Sequence, residues 1–232
     1  MELPDAPVVA RMQSLIQQWE KGSDHKAVFL SCYMMMTSNT LAAIKQQEFN
    51  DPEWVGRLLH RFADYYFAAL DAYELSPASA PAVWQLAHNA AHDTTTSALQ
   101  KLLLGVNAHI NYDLVFALVD LLGPEWAALS DHQRSTRYAD HCHVNAVIGR
   151  TIDAVQDQVL EPAMPVMDLF DRLLGPFDEL LISHLITQWR ETVWRNATRL
   201  LELGKADEQA ELTNRIEEEA VKIGEFIRTQ GL

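Results

Sequence analysis

Apolar side chains recur three and four positions apart through most of the chain, the spacing that places them on one face of an α-helix. The segment after Asp51 shows this pattern over five turns, with apolar or aromatic residues at Trp54, Leu58, Leu59, Phe62, Tyr65, Tyr66 and Leu70. No segment alternates between apolar and polar residues between turn signals, as a half-buried strand would. The sequence therefore predicts an all-α fold.

Glycine, proline and capping residues mark where the helices begin and end. Helices are predicted over residues 6–20, from residue 24, from Asp51 as N-cap with Pro52 in the first turn, and over residues 81–122, 130–160, 166–174, 178–203 and 206–229. The range 81–122 is predicted as one long or two abutting helices, interrupted at Gly105. Because no linker divides the chain, we expect residues 1–232 to form a single helical domain, a bundle of about seven to eight helices. Residues 206–230 form its peripheral C-terminal helix.

Acidic residues outnumber basic ones, 32 Asp plus Glu against 18 Lys plus Arg, which gives a net charge of −14. This charge repels nucleic-acid phosphates and anionic membrane surfaces. The two cysteines, Cys32 and Cys142, form no CxxC pair, and the sequence shows neither a secretory signal nor an apolar run of membrane-spanning length. We expect a cytoplasmic protein with no nucleic-acid partner and no membrane span.

Polar residues interrupt the most apolar part of the chain at GVNAHINYDL, residues 105–114. His109 and Asp113 are four apart and share one helix face, while Asn107 and Asn111 share roughly the opposite face. An unpaired buried polar group costs about 1–3 kcal/mol, so these four side chains need partners or a solvent-filled cavity. An imidazole beside a carboxylate can bind a metal or transfer protons, and it can also tie helices together.

Further histidine and acidic residues could complete a metal site around this pair. His88 and His92 are four residues apart, a spacing that can bind one metal ion. For His88 we favour the alternative, a position on a polar helix face near solvent. Asp140 and His143 are three apart in YADHCHVNAVIGR. The predicted ligand set for a divalent metal, zinc or iron, is His109, Asp113, His92, Asp140 and His143.

Arg190 precedes Trp194 by four residues in ITQWRETVWRNA. On a half-buried face it could stack on the tryptophan, pair with a buried carboxylate such as Asp113 or Asp140, or bind an anionic substrate. The alternative is a surface arginine on an ordinary amphipathic helix. The other predicted substrate-binding residues are Asn107, Asn111, Tyr33, Thr37, Asn145 and Trp194.

The central block resembles a bacterial domain family of unknown function whose members carry Gly-hydrophobic-Asn-Ala-His-Ile-Asn-x-Asp-Leu. The likeness extends to RFADYYFAAL at residues 61–70, to Asp140 with Asn145, and to WRETVWRNA at residues 189–197. This resemblance implies an all-helical single domain, and it supplies no activity.

The same block is similar to the Ala-His-x-x-x-Asp block of the zinc-dependent phospholipase C and nuclease group, which is also all-helical. A further histidine of that group has no counterpart at residues 115–118, where the sequence reads VFAL. The group's N-terminal metal ligand has no equivalent at Met1. Both departures argue against a trinuclear zinc site of that type.

Three functions follow from these residues. The first is a small-molecule enzyme centred on His109 and Asp113, with a metal that supports hydrolytic or oxidative chemistry; it predicts at least three converging ligands. The second is a metal-free acid/base enzyme, an isomerase, cyclase or lyase of small-molecule or natural-product metabolism, with His109, Asp113 and Arg190 as catalytic residues. It predicts a cavity on the order of hundreds of cubic ångströms beside His109. The third is a non-catalytic binding or scaffold protein, which predicts no cavity and every polar group paired.

Overall fold

A computed structural model describes residues 6–155 and 176–229. Over these residues the chain is helical and has no strand, which confirms the predicted all-α class. The helices are α1 (Ala6–Lys21), α2 (Lys26–Lys45), α3 (Pro52–Leu75), α4 (Ala82–His92), α5 (Ala98–Leu122), α6 (Asp131–Val155), α7 (Pro176–Glu202) and α8 (Ala206–Thr229). A short 3-10 turn, Pro77–Ser79, precedes α4. The predicted helix at residues 166–174 lies outside the described residues.

Side-chain caps fix the starts of α3 and α5. Asp51 accepts a hydrogen bond from the backbone N–H of Trp54 at 2.9 Å, and Pro52 begins α3, as predicted. The hydroxyl of Ser97 accepts from the backbone N–H of Gln100 at 3.1 Å, while Gln100 Oε1 accepts from the Ser97 N–H at 3.0 Å. Such caps satisfy N–H groups that the first helical turn leaves without a backbone partner.

The break in the long apolar region lies at residues 93–97, so the predicted interruption at Gly105 is wrong. Gly105 is buried inside α5, where an added Cβ atom would lie 2.4 Å from Cγ of Phe29. Glycine is therefore required for the close approach of α2 rather than for a change in backbone direction. The contact places Phe29 against the helix that carries His109.

Helix α5 is at the centre of the fold and packs against α2, α3, α4, α7 and α8. Helix α6 packs against α2 and α7. Helix α8, which occupies the bounds predicted for the C-terminal helix, buries one face against α4 and α5. The polar residues of α5 are consequently surrounded by other helices.

Two helices, α2 and α5, are long and apolar enough to cross a membrane by length and composition. The absence of a membrane span therefore stays a prediction. In their most apolar windows, 56% of α2 and 78% of α5 is buried inside the protein. Core helices of folded domains meet the same criterion, so this feature alone does not indicate a membrane span.

Candidate functional site

The polar stretch of α5 is a π-helix from Ala108 to Asp113, with α-helix on both sides. Its backbone hydrogen bonds span five residues instead of four, which accommodates an extra residue within a continuous helix. His109, Asn111 and Asp113 all lie in this segment and are buried. Short π-helical segments occur frequently at functional sites.

His109 and Asp113 form a buried pair, with His109 Nδ1 2.9 Å from Asp113 Oδ2. Their side chains are 3% and 1% exposed. Trp84 on α4 donates its Nε1–H to both carboxylate oxygens of Asp113, at 3.1 and 3.0 Å. The pairing expected from the spacing is present, and a tryptophan from another helix holds the carboxyl group.

Burial favours the neutral form of both members of this pair. It lowers the pKa of His109 well below its ordinary value. It raises the pKa of Asp113 well above its ordinary value, and the hydrogen bond from Trp84 acts in the opposite direction. An ionised Asp113 accepts the Nδ1 proton and leaves a lone pair on His109 Nε2, whereas a protonated Asp113 donates to Nδ1 and places the imidazole proton on Nε2. The pair can therefore present either a proton acceptor or a proton donor at Nε2.

Aromatic rings enclose the imidazole of His109. Phe62 on α3 stacks on it with ring centroids 3.5 Å apart and an angle of 6° between the planes. Tyr33 on α2 makes an edge contact at 4.3 Å. Phe29, Tyr66 and Trp84 lie at centroid distances of 5.9, 6.0 and 6.2 Å. This enclosure restricts the ring's orientation and explains why burial disfavours its cationic form.

A cavity of about 130 Å³ lies beside His109. Five helices, α2, α3, α5, α6 and α7, line it mostly with apolar side chains, among them Phe29, Val55, Leu58, Phe62, Ile110, Ile148 and Ile186. Its polar lining residues are Tyr33, Thr37, Thr40, His109 and Arg190. The cavity is smaller than predicted, and comparable to a cavity of roughly 150 Å³ that holds benzene in another protein.

Three polar atoms of the cavity-lining residues are buried without a hydrogen-bond partner: the hydroxyls of Tyr33 and Thr37, and Nε2 of His109. Thr37 is near enough to Tyr33 to affect its ionisation, but neither hydroxyl makes a hydrogen bond of normal geometry. The described residues contain seven such atoms, so three of the seven belong to this one cavity. Buried polar groups are nearly always paired in proteins. The concentration of unpaired groups here therefore indicates a place for a ligand or water.

Arg190 on α7 also lines the cavity and is 4% exposed. Its Nε–H donates to Oδ1 of Asn145 and its Nη2–H donates to the carbonyl oxygen of His141, both at 2.7 Å. His141 in turn donates from Nε2 to the carbonyl oxygen of Arg190 at 3.0 Å. These acceptors are uncharged, and neither Asp113 nor Asp140 pairs with the guanidinium. Burial lowers the pKa of Arg190 to about 10.

A family model for a family of unknown function, DUF5995, matches residues 6–230. The chain belongs to this family. No curated protein and no solved structure matches it. The resemblance to a family of unknown function is thus confirmed, whereas the similarity to the phospholipase C and nuclease group stays a prediction. Membership in DUF5995 supplies no activity.

Asp140, a predicted metal ligand, is fully buried in this DUF5995 protein. It lies on α6 and contacts the segment that precedes α3. Its Oδ1 accepts hydrogen bonds from the backbone and side-chain nitrogens of Asn50, at 2.8 and 2.9 Å. Its Oδ2 accepts from the backbone N–H of Asp51 at 2.8 Å. Asp140 therefore joins α6 to the segment that caps α3.

The other predicted metal ligands are not gathered around His109 and Asp113. His143 lies 3.2 Å from a carboxylate oxygen of Glu48, and His92 is exposed at the end of α4. Among the side chains that the structure describes, in residues 7–152 and 181–229, no three of His, Cys, Asp or Glu form a group that could hold a metal ion. Metal binding in this DUF5995 protein stays a prediction.

Of the predicted substrate-binding residues, Tyr33 and Thr37 line the cavity together with Arg190. Asn107 and Asn111 lie elsewhere: Asn107 Nδ2 donates to the carbonyl oxygen of Ala220 at 2.8 Å, and Asn111 Nδ2 donates to Asn107 Oδ1 at 2.9 Å. These amides connect α5 to α8 instead of facing the cavity.

Asn145 and Trp194 do not line the cavity either. Asn145 positions Arg190 through the hydrogen bond to Nε. Trp194 packs against the rings of His141 and Tyr138, at 5.1 and 5.4 Å. The predicted stacking of Arg190 on Trp194 is not among the cation–π contacts of the described residues.

Sequence reasoning missed two residues of the site, Trp84 and Phe62. Both lie on apolar helix faces, which marks them as core residues and does not associate them with His109. The position of His88 was also predicted wrongly: it is 4% exposed and stacks on Trp84 at 5.2 Å, away from solvent. Trp84 precedes His88 by four residues on α4 and so shares its helix face, which is the signal that would have indicated burial.

Proposed function

We propose that this DUF5995 protein is a metal-free acid/base enzyme that acts on a small, mainly apolar molecule bound beside His109. The observation that supports this proposal is the set of unpaired buried atoms, including His109 Nε2, around one apolar cavity. A polar core that only fixed helix register would pair these atoms within the protein. A bound molecule with a hydrogen-bonding group would satisfy them instead.

In the proposed site, His109 Nε2 exchanges a proton with the bound molecule. When Asp113 is ionised, it accepts the Nδ1 proton and balances the positive charge that develops when Nε2 takes up a proton. When Asp113 is protonated, Nε2 carries the imidazole proton and can donate it. Trp84 fixes Asp113 through the two hydrogen bonds to its oxygens. Phe62 keeps the imidazole plane in place by stacking on it. The reactive nitrogen is thus held on a rigid helix by packed neighbours.

Other ionisable groups around the cavity are suited only to donating protons. Burial raises the pKa of the Cys32 thiol to about 12. Burial, followed by the nearby charge of Asp113, raises the pKa of Tyr33 well above its ordinary value. Both stay protonated at neutral pH, so His109 is the best proton acceptor among the described lining residues. A base next to a hydroxyl donor in the lining of an apolar cavity suits isomerisation, cyclisation or elimination.

Solvent deuterium labelling tests this proposal even though the substrate is unidentified. Purified protein is incubated with a small-molecule cell extract in D2O, and mass spectrometry identifies compounds whose mass or deuterium content changes. We expect His109→Gln to reduce the change about 100-fold or more, the range for loss of a general base. His92→Gln, on the exposed end of α4, is the matched control and should behave as wild type. Equal labelling by wild type and a correctly folded His109→Gln would refute the proposal.

Asp113→Asn separates a positioning role from a purely structural one. The substitution keeps the side-chain shape but removes the charge that balances a protonated His109. We expect slower labelling and a changed pH dependence in a protein with native circular dichroism. An unaltered pH profile would show that Asp113 does not control the proton on His109.

A further inference from the structure

We infer that the molecule bound beside His109 is an anion, a small apolar carboxylate whose charged group pairs with Arg190. This inference rests on the proposed function because it concerns the same cavity. It adds the charge and the chemical class of the bound molecule.

The guanidinium of Arg190 is the first observation behind this inference. A buried charge is costly unless it is paired and fully hydrogen-bonded. Nε and Nη2 donate to an amide oxygen and a carbonyl oxygen, which carry no charge. Nη1 makes no hydrogen bond with any described residue. Nη2 also lies 3.4 Å from Nδ1 of His141. The N–H groups of Nη1 are therefore the ones that can donate to an oxygen of a carboxylate.

The charges around the cavity are the second observation. Arg190 is the only permanently charged side chain among the described lining residues, and no carboxylate belongs to that set. Asp113 lies behind the imidazole, where Trp84 and His109 occupy its oxygens. The cavity therefore has a positive character even though the whole chain carries a net charge of −14. An anion inside it would be attracted, whereas a cation would be repelled.

The size and walls of the cavity define the rest of the molecule. Its volume of about 130 Å³ is close to that of a cavity that holds one benzene molecule. The aromatic rings of Phe29, Tyr33 and Phe62 favour a flat apolar body. The inferred ligand is thus a carboxylate with an apolar part of about six carbon atoms. Its carboxylate is at Arg190, and its apolar part lies against the rings beside His109.

A charge series of probes tests this inference on the full-length protein. Benzoate, benzyl alcohol and benzylamine have a similar apolar body and differ in charge, and their affinities are measured by calorimetric titration. We expect benzoate to bind at least tenfold more tightly than benzyl alcohol, and benzylamine to show no measurable binding. Tighter or equal binding of benzyl alcohol would overturn the inference.

Substitutions at Arg190 provide a second measurement. Arg190→Gln should reduce benzoate affinity to that of benzyl alcohol, and Arg190→Lys should give an intermediate affinity. Arg195→Gln, at an exposed position of the same helix, is the matched control and should leave both affinities unchanged. If the Arg190 variants fail to fold, because the guanidinium also connects α6 and α7, the probe series on wild type decides alone. Unchanged benzoate affinity in a folded Arg190→Gln would overturn the inference.

The two proposals can fail separately. Deuterium labelling that depends on His109, together with no preference for benzoate, would leave the acid/base function standing and overturn the anionic ligand. A preference for benzoate that depends on Arg190, with no labelling by any variant, would support the anion site and count against catalysis. Binding of none of the three probes would overturn the inference.

Discussion

We expect His88 to make the stability of this protein sensitive to acid. It lies on α4 between the rings of Trp84 and Tyr73, at centroid distances of 5.2 and 4.7 Å, and its Nε2 has no hydrogen-bond partner. Burial, followed by repulsion from Lys26 and His92, lowers the pKa of His88 to about 3 from an ordinary value of 6.5. The unfolded chain therefore binds a proton at this residue more readily than the folded chain does.

The sign and size of the effect follow from this difference. Because the folded-state pKa is the lower one, the stability contributed by a neutral His88 is fully present above pH 6.5 and is lost as the pH falls toward about 3. Each pH unit in this window lowers the free energy of unfolding by about 1.4 kcal/mol, so the whole window amounts to about 5 kcal/mol. Burial also lowers the pKa of His109 and His141, which act in the same direction. The raised pKa of Asp113 acts in the opposite direction, since its contribution is lost as the pH rises.

Urea unfolding of His88→Leu, compared with wild type, isolates the contribution of His88. Between about pH 7 and about pH 4.5, we expect the variant to lose about 2–3 kcal/mol less unfolding free energy than wild type. His92→Gln, one turn further along α4 and exposed, should lose nearly as much as wild type. If His88→Leu and wild type show the same acid dependence, His88 is protonated in the folded protein and its burial does not oppose protonation.

Two further stability predictions follow from contacts of α5. Gly105→Ala places a methyl group 2.4 Å from Phe29 and should lower the free energy of unfolding by about 1–3 kcal/mol. Gly204→Ala, whose added methyl group has no atom within 4 Å, is the control and should not lower it. Equal effects of the two substitutions would contradict the close packing of α2 on α5. Asn107→Ala removes the side-chain donor to the carbonyl oxygen of Ala220 and the acceptor of Asn111 Nδ2, and should cost about 1–3 kcal/mol. Hydrogen exchange should then accelerate first in α8, and unchanged exchange there would show that the amide does not hold this helix.

Local signals in the sequence were sufficient to predict most of the fold. Asp51 and Pro52 identify the start of α3 because capping depends only on neighbouring backbone groups. The bounds of α8 were predicted correctly because charged residues and a preceding Gly204 mark its limits. The prediction at Gly105 was wrong because a glycine in a helical pattern can indicate either a helix break or a close contact between helices. Only the position of Phe29 on another helix distinguishes the two.

The site was predictable to the extent that its contacts are local. His109 and Asp113 are four residues apart, so helical periodicity alone brings them together. Trp84 is 29 residues from Asp113, and no pattern in a single sequence pairs the two positions. The π-helix was not predicted either, since a single inserted residue hardly changes the apolar periodicity. Distances across the bundle, rather than residue types, determine which polar groups face the cavity.

The four polar residues that interrupt α5 serve two different purposes on its two faces. Asn107 and Asn111 form a chain of hydrogen bonds that ends on α8, so their polarity is satisfied within the protein. His109 and Asp113 satisfy each other on one side and leave His109 Nε2 unpaired beside the cavity. Since a core can satisfy polar groups completely, as it does for the asparagines, the unpaired nitrogen is not an unavoidable result of placing polar residues in α5. Substitutions of the asparagines should therefore lower stability, whereas conservative substitutions of His109 should primarily alter what the cavity binds and converts.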